Sequence, residues 1–555
     1  MTRLAGSEIT IRLLERQGVR TVAGIPGGAN LPLYDALSRT RKIRHILARH
    51  EQGAGFIAQG IARVSGMPGV CLASSGPGAT NLMTAIADAN LDSIPLVAIT
   101  GQVPRAMLGT DAFQEVDTHG MSIPITKHNF LVSSTEQLLE VVPRAFQIAS
   151  SGRPGPVLID IPKDVQNEPI DVAQWPEPGR RDSVPDVSAD QISAAADLIA
   201  ESSRPILYIG GGVVHSGAGK AVLDFAEGAS LPTVMTLMAL GVIPVDHPLS
   251  LGMLGMHGAP YANHLLEECD LLIVAGARFD DRATGDLTRF CPNARVVHID
   301  VDGAELNKLR SAQIGIIGDV KPVLEALCVR TSQRSRKRWL GRVAELRRRH
   351  PMRLPGIDCP RSHYGLIACV HGCLDDSAII TTDVGQHQMW VAQSYPLRRP
   401  RQWLTSGGLG TMGFGLPVAI GAALEEPTRT VVCFSGDGSI LMNVQELTTL
   451  AETNVNVKVV VMDNRALGLV RQQQTLFYEG RIFESRFKRV PDFVSVAKAF
   501  GVPAIDLDSC VDPLQALRHA LQEPGPCLIH ASIDENENVF PMVPPGAANT
   551  EMIGA

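Results

Sequence analysis

The stretch from Val431 to Asn464, VVCFSGDGSILMNVQELTTLAETNVNVKVVVMDN, constrains the fold of this chain more than any other. VVCFS is a short β-rich run, Gly436-Asp437-Gly438 interrupts it, SILMNVQELTTLAE carries a helical period, and VKVVVM is a second apolar strand. Such a strand-helix-strand unit places its two strands parallel and side by side, ending at the same sheet edge. Asp437 and Asn464 are therefore expected to converge on one point. A carboxylate and an amide oxygen are hard ligands that suit Mg²⁺, which completes an octahedron with phosphate oxygens and water. Gly436 and Gly438 let a diphosphate approach the backbone at the N-terminus of the following helix. A bare Gly-Asp-Gly reads more simply as a strand-to-helix turn with a solvated aspartate; the full segment favours the metal-diphosphate reading.

At 555 residues the chain is too long for one core and suits three domains. RTVAGIP, VCLASS, PLVAITG and PVLIDIP read as buried strands separated by helical stretches and predict a doubly wound domain over 1–172. A linker rich in Pro, Asp and Gln follows at 171–186. RPILYIG, LPTVMT, LLIVAGA, RVVHIDV and IGIIGD predict a middle domain over 187–330, and AIITTDVG, TVVCFSG, VKVVVMD and CLIHASI a third over 360–536. The expected fold class is α/β, three doubly wound parallel-sheet domains. The first and third share an architecture without a visible residue-level repeat. The tail, 537–555, has too much Pro and Gly for regular structure and reads as a frayed arm or a lid.

With 57 acidic against 50 basic residues and a net charge of -7, the chain offers no electrostatic case for nucleic acid or an anionic membrane. The basic run Arg330–His350 is the local exception and reads as a solvated interdomain helix. Ten cysteines without CxxC pairs or histidines at metal spacing behave as small buried hydrophobes of a reducing compartment. Acidic residues in the amphipathic N-terminal stretch argue against a signal peptide, and no apolar run is long enough to span a bilayer, so a cytoplasmic protein is expected.

Two further segments carry chemistry. In RHILARHEQGAGFIAQGIAR the strand IRHILA delivers Glu51 to the start of a Gly/Ala-rich helix that permits close approach; a first-turn glutamate favouring the helix dipole is the plain alternative. SGGLGTMGFGLPVAIGAA contains Gly408-x-Gly410-x-x-Gly413, but no clear strand precedes it and no acid follows at the interval a dinucleotide site needs. Glu51, Asp437 and Asn464 together with GIPGG, SSGPGATN, GTDAFQEVD, ITKHNF, SGRPGPVLIDIPKDV, LGMLGMHG, GARFDDR, TTDVGQHQMW, GGLGTMGFGLP and PMVPPGAANTE resemble, in order and over nearly the whole chain, the acetolactate synthase family of thiamine diphosphate enzymes.

That resemblance implies a reaction and a site. Pyruvate would be decarboxylated on thiamine diphosphate and its two-carbon unit added to a second 2-ketoacid, pyruvate giving 2-acetolactate and 2-ketobutyrate giving 2-aceto-2-hydroxybutyrate. Asp437, Asn464 and the Ala466 carbonyl would ligate Mg²⁺, with Gly436 and Gly438 at the diphosphate. Glu51 would hold pyrimidine N1', the Gly410 carbonyl would bind the 4'-amino group, Met412 would wedge between the two rings, and Gly28 of GIPGG would also face the cofactor. Phe113, Gln114 and Lys163 match residues around the reaction centre, with Lys163 as cationic partner or, more plainly, a surface charge. Arg153, Gly211, Thr236, Gly276, Arg278, Asp280, Arg282, Asp300 and Asp319 match the family's FAD-binding positions, although Asp300 and Glu305 depart from the pattern at the adenine end. Family members pair Glu51-type and metal residues from different subunits, which implies a homodimer or homotetramer, and commonly bind a small regulatory subunit. Where the family carries an acceptor-pocket tryptophan, this chain has Gln473. A pyruvate oxidase or simple 2-ketoacid decarboxylase of the same superfamily is the alternative; decarboxylases carry an adjacent histidine pair, and no such dipeptide occurs here.

Overall fold

The computed structural model describes residues 2–184, 186–331 and 335–555. Three six-stranded sheets succeed one another along the chain. The first runs 44–47, 21–24, 69–73, 96–102, 156–162, 128–131, every pair parallel. Counted in chain order within the sheet, this is 2-1-3-4-6-5. The third sheet, 403–404, 379–382, 431–436, 457–463, 527–532, 504–506, has the same order and is also parallel throughout. The middle sheet, 250–253, 233–235, 205–209, 271–275, 295–300, 314–317, is instead 3-2-1-4-5-6, the order of dinucleotide-binding folds. In every sheet the order reverses beside the first strand, and a crevice opens there beyond the carboxyl ends of the strands. An antiparallel pair, Thr2–Ala5 with Pro169–Val172, closes the first domain.

The central strands, such as Leu96–Gln102 and Val457–Asp463, are buried along their whole length, as a parallel sheet covered by helices on both faces requires. The helix Glu51–Ser65 is buried from Gly53 to Val64 because it lies between the first sheet and the third domain's helix Gly415–Glu425. Glycines permit that approach: a Cβ on Gly60 would collide with the Val418 carbonyl, and one on Gly421 with the Ile57 carbonyl.

Four sequence expectations change. SILMNVQELTTLAE is not one helix but Asp437–Ile440 and Glu446–Thr453, with Asn443 between them donating its side-chain amide to the Gly413 carbonyl at 2.7 Å. A two-residue edge strand, Trp403–Leu404, does precede the SGGLGTMG segment. The basic run is the helix Lys337–Arg349, seated on the middle domain through Trp339, Val343 and Leu346, with Arg342 paired to Glu268 and Arg349 to Glu345; residues 332–334 of that run, like Met1 and Pro185 of the linker, lie outside the described residues. The tail has little regular structure yet is docked, with Val539, Met542 and Val543 buried and Met542 bridged to Ile553. Side-chain amides stand in for a ladder: Gln472 accepts from Val539 N–H at 2.8 Å and donates to its carbonyl at 2.9 Å, while Asn549 donates to the Ala283 carbonyl at 2.8 Å. No helix of the described residues is long and apolar enough to cross a membrane.

Candidate active site

At the switch point of the third sheet, strands Val431–Gly436 and Val457–Asp463 run parallel with Gly436 opposite Met462, so Asp437 and the Asp463-Asn464 pair leave the sheet together. Burial, followed by the neighbouring Asp463 charge, pushes the Asp437 carboxyl above the usual carboxylate range, and Asp437 Oδ2 is buried without a hydrogen-bond partner. A buried oxygen in that condition calls for a proton or a cation. Asn464 Nδ2 donates to Gln386 Oε1 at 2.8 Å, which fixes the amide so that its oxygen is the free end. Ala466 is bridged to Arg486 through the Arg465 carbonyl and the Leu467 N–H, leaving the Ala466 carbonyl out of the bridge. Three oxygens of this kind fit Mg²⁺. Behind them, His530 holds Asp463 at 3.3 Å and is raised to about 9 by that carboxylate and by Asp506. Gly436 packs against the buried His387 ring, and burial lowers that imidazole to about 3, so it stands neutral beside the turn.

The first sheet builds a different half-site at its own switch point. Glu51 opens its helix behind His50, whose Nδ1 accepts from Gln52 N–H at 3.1 Å. Asn81 Nδ2 donates to Glu51 Oε2 at 2.9 Å, and Gly78 faces Glu51 Oε1, so SSGPGATN lies against the glutamate. The turn before Glu51 is pinned from the third domain: Glu446 Oε1 accepts from Arg49 N–H at 2.9 Å and His50 N–H at 3.0 Å. Phe113 and Gln114 occupy a loop held in shape by Glu115, which accepts from the N–H groups of Gly109, Thr110 and Ala112. Gln114 sits at φ +59°, a conformation uncommon outside glycine, and packs against Gly76. Gln102 braces the end of that loop by donating to the Val116 carbonyl and to Asp160 Oδ2, both at 3.0 Å; burial pushes Asp160 up to about 7. Lys163 begins a short helix at the same edge, half-buried and without a side-chain partner among the described residues. Gly28, by contrast, meets nothing within 4 Å of a notional Cβ and stands in open space.

The middle domain contributes a cavity of ≈ 580 Å³. Arg153, Gly211, Thr236, Gly276, Arg278, Asp280, Arg282, Asp300 and Asp319 all line it. Gly210, Gly212 and Gly276 pack backbone to backbone at the switch point, where a Cβ would collide, and Thr236 Oγ1 is buried without a partner. A glycine cradle with an orphaned hydroxyl at the turning point of a 3-2-1-4-5-6 sheet fits a dinucleotide such as FAD. Arg153 is already engaged, donating to Glu305 at 2.9 Å and Ser93 at 2.9 Å, and burial lifts Asp300 to about 6. The same cavity extends to Gly408, Gly410, Leu469, Gln473 and Met542, so the third domain and the C-terminal arm share its wall. Gln473 is exposed on that wall, and Met412 is half-buried just beyond Gly410.

No hydrogen bond or ion pair among the described residues links Glu51 to Asp437 or Asn464. Sequence reasoning missed Gln386 and Glu446, whose importance lies in contacts made 78 and 397 residues away and leaves no local pattern. Asn81 had a signal, its place at the end of the glycine-rich SSGPGATN turn.

Family models described as thiamine pyrophosphate enzyme, N-terminal TPP binding domain, central domain and C-terminal TPP binding domain match residues 4–121, 192–327 and 383–531. Fold and site therefore define a thiamine diphosphate enzyme. The chain is 58% identical over 552 residues to the acetolactate synthase isozyme 1 large subunit of Escherichia coli K12, covering 100% of this chain and 98% of the relative. It is 48% identical to the isozyme 2 large subunit of the same organism, with 99% of both chains covered, and 45% identical to a probable acetolactate synthase large subunit of Methanocaldococcus jannaschii, covering 99% of this chain and 95% of the relative. The chain belongs to the acetolactate synthase large-subunit family.

Proposed function

We propose that this chain is the catalytic subunit of an acetolactate synthase, joining two carbons of decarboxylated pyruvate to the keto carbon of a second 2-ketoacid. The observation that carries the reading is the pairing of two unlike half-sites at the same switch point of two like domains, Glu51 with Asn81 in one and Asp437 with Asn464 in the other. Thiamine diphosphate, when bound, would supply a nucleophilic carbon for the keto group and an electron sink for loss of CO₂. Asp437, Asn464 and the Ala466 carbonyl would hold Mg²⁺, and Gly436 and Gly438 would admit the diphosphate to the backbone. Glu51 keeps a proton at pyrimidine N1', with Asn81 orienting its carboxyl. Gly410 and Met412 would contact the rings, and Phe113, Gln114 and Lys163 would bound the ketoacid space, Lys163 as its free cation. The middle-domain cavity would hold FAD, which would serve as structure, since the net reaction transfers no electrons.

Glu51 makes no hydrogen bond or ion pair to Asp437 or Asn464 within one chain, which favours a homodimer or homotetramer, and Phe113, 88% exposed, and Met442, 52% exposed, suit burial against a second copy. A small regulatory subunit and a cytoplasmic setting accompany this reading. Gln473 replaces an indole wall with an amide, which suits weak discrimination between acceptors and the synthesis of acetolactate. Product analysis with pyruvate, thiamine diphosphate, Mg²⁺ and FAD tests the whole: acetolactate supports it, whereas acetaldehyde or acetyl phosphate as main product turns the assignment to a decarboxylase or an oxidase.

A further inference from the structure

The segment 406–413 belongs to the third domain, yet much of its anchorage comes from the first. Asp92 accepts from the Gly408 N–H at 2.7 Å and the Gly407 N–H at 3.1 Å. Asp88 Oδ2 accepts from the Ser406 hydroxyl and, at 2.9 Å, from the Thr411 hydroxyl, while Ser406 Oγ accepts the Thr411 N–H at 2.9 Å. Between the two carboxylates lies Arg63, donating to Asp92 at 2.8 Å, to Asp88 at 3.2 Å and to the Thr405 carbonyl at 3.1 Å, with its guanidinium over the Phe414 ring at 4.8 Å. Gln59 also receives it, at 2.9 Å. Arg63, Asp88 and Asp92 are each at least nine-tenths buried.

Two carboxylates facing one guanidinium leave an excess negative charge in a buried place, which is costly unless donors surround it. Those donors are the N–H and O–H groups of 406–411, so the charge is tolerated in one conformation of that segment. Burial and the adjacent Asp92 raise the Asp88 carboxyl, opposed by Arg63, which fits a charge that depends on its neighbours. The other end is fixed separately: Asp383 accepts the Gly413 N–H at 2.7 Å, and Asn443 donates to the Gly413 carbonyl at 2.7 Å. Leu409 and Gly410 remain exposed between the anchors, and Gly410 adopts φ +71° with open space around it, so its glycine serves the path of the chain and not a packing contact.

We propose that Arg63, Asp88 and Asp92 are positioning residues for catalysis, an interdomain clamp that sets the Gly410 carbonyl and the Met412 side chain at the thiamine pyrimidine. The proposal rests on the reading that Gly410 and Met412 face that ring. It has a consequence for the helix Glu51–Ser65, which carries Glu51 at its first residue and Arg63 near its last. If half-sites pair between subunits, this helix serves two active sites, Glu51 in one and the clamp in the other.

Asp92→Asn, loaded with thiamine diphosphate, Mg²⁺ and FAD, is expected to lower kcat by roughly 10- to 100-fold, as an error of about 1 Å at reacting groups does, with pyruvate KM nearly unchanged. The near-ultraviolet circular dichroism of bound thiamine diphosphate, per cofactor bound, is expected to change with it. Thr411→Val, which removes one hydroxyl from a half-buried position, is expected to shift both in the same direction by less, and keeps the test alive if Asp92→Asn does not fold. A lower melting temperature with unchanged dichroism and kcat per bound cofactor overturns the proposal. Co-expression separates its failure from that of the underlying reading. If Glu51→Gln with Asp437→Ala regains activity, half-sites are shared between chains; Glu51→Gln with Asp92→Asn is then expected to regain it too. Recovery in the first mixture and none in the second leaves the shared site standing and overturns the clamp. Recovery in neither removes the shared site, and the dichroism of Asp92→Asn then decides the clamp.

Discussion

The outer domains and the middle domain are all six-stranded parallel sheets, yet their crevices are furnished in opposite ways. At the outer switch points stand groups suited to holding a proton or a cation: Glu51 with Asn81 in the first, Asp437 with Asn464 in the third. At the middle one stands a glycine cradle with a lone buried hydroxyl, while the nearby charges are already paired, Arg153 to Glu305 and Asp319 to Arg181. Strand order alone does not assign these tasks, since the first and third domains share 2-1-3-4-6-5 and still hold unlike half-sites. The difference teaches that the sheet supplies a crevice and the loop residues supply its chemistry.

The largest effect should come from the third domain. Asp437→Ala is expected to abolish Mg²⁺-dependent retention of thiamine diphosphate while FAD stays bound, as equilibrium dialysis of both cofactors would register; normal thiamine diphosphate affinity would break the division between outer and middle crevices. In the first domain, Glu51→Gln should cut turnover by roughly 10²- to 10⁴-fold through loss of a proton partner, with cofactor binding surviving better, and near-normal kcat would remove Glu51 from the chemistry. On the shared wall, Gln473→Trp should raise the preference for 2-ketobutyrate over pyruvate as acceptor by roughly 10- to 200-fold, the worth of one methylene in an apolar pocket. Competition between the two ketoacids measures this, and no gain in the variant sinks the acceptor-pocket assignment.

The smallest effect concerns the arm that lines the middle cavity through Met542. His257 donates from Nδ1 to the Pro541 carbonyl at 3.0 Å, and burial lowers its pKa to about 4, with Arg282 acting in the same direction. A lowered histidine favours docking fully above its free value of about 6.5, and that contribution is lost as pH falls toward the docked value. Between pH 7 and 5.5 the docking equilibrium should weaken by roughly tenfold at most, which hydrogen exchange across 539–553 would report. His257→Gln should flatten that dependence; an unchanged profile would show that the arm is held by other groups, such as Gln472.

Much of the architecture was legible because buried parallel strands write themselves as apolar runs. VVCFS, VKVVVM, PLVAITG and LLIVAGA each became a central strand. The short edge strands Trp403–Leu404 and Ala504–Asp506 carried no such signal, being too brief for a period. The helix expected over SILMNVQELTTLAE is two, Asp437–Ile440 and Glu446–Thr453, and Asn443 between them donates its side-chain amide to Gly413, 30 residues away. Periodicity cannot register a partner of that kind.

By itself the sequence determined which residues could do chemistry: a Gly-Asp-Gly turn between two apolar strands, an asparagine at the end of the second, and a glutamate at the head of a helix thin enough to be buried. These are local facts, fixed by covalent spacing and by the periods of strand and helix. Tertiary structure alone decided what holds them. Gln386 orients Asn464, Glu446 pins the turn before Glu51, and Arg63 with Asp88 and Asp92 ties the first domain to the segment around Gly410. Such polar groups are satisfied by partners distant in the chain, because a buried donor or acceptor must find a mate wherever folding brings one, and no spacing rule along the sequence records where that is.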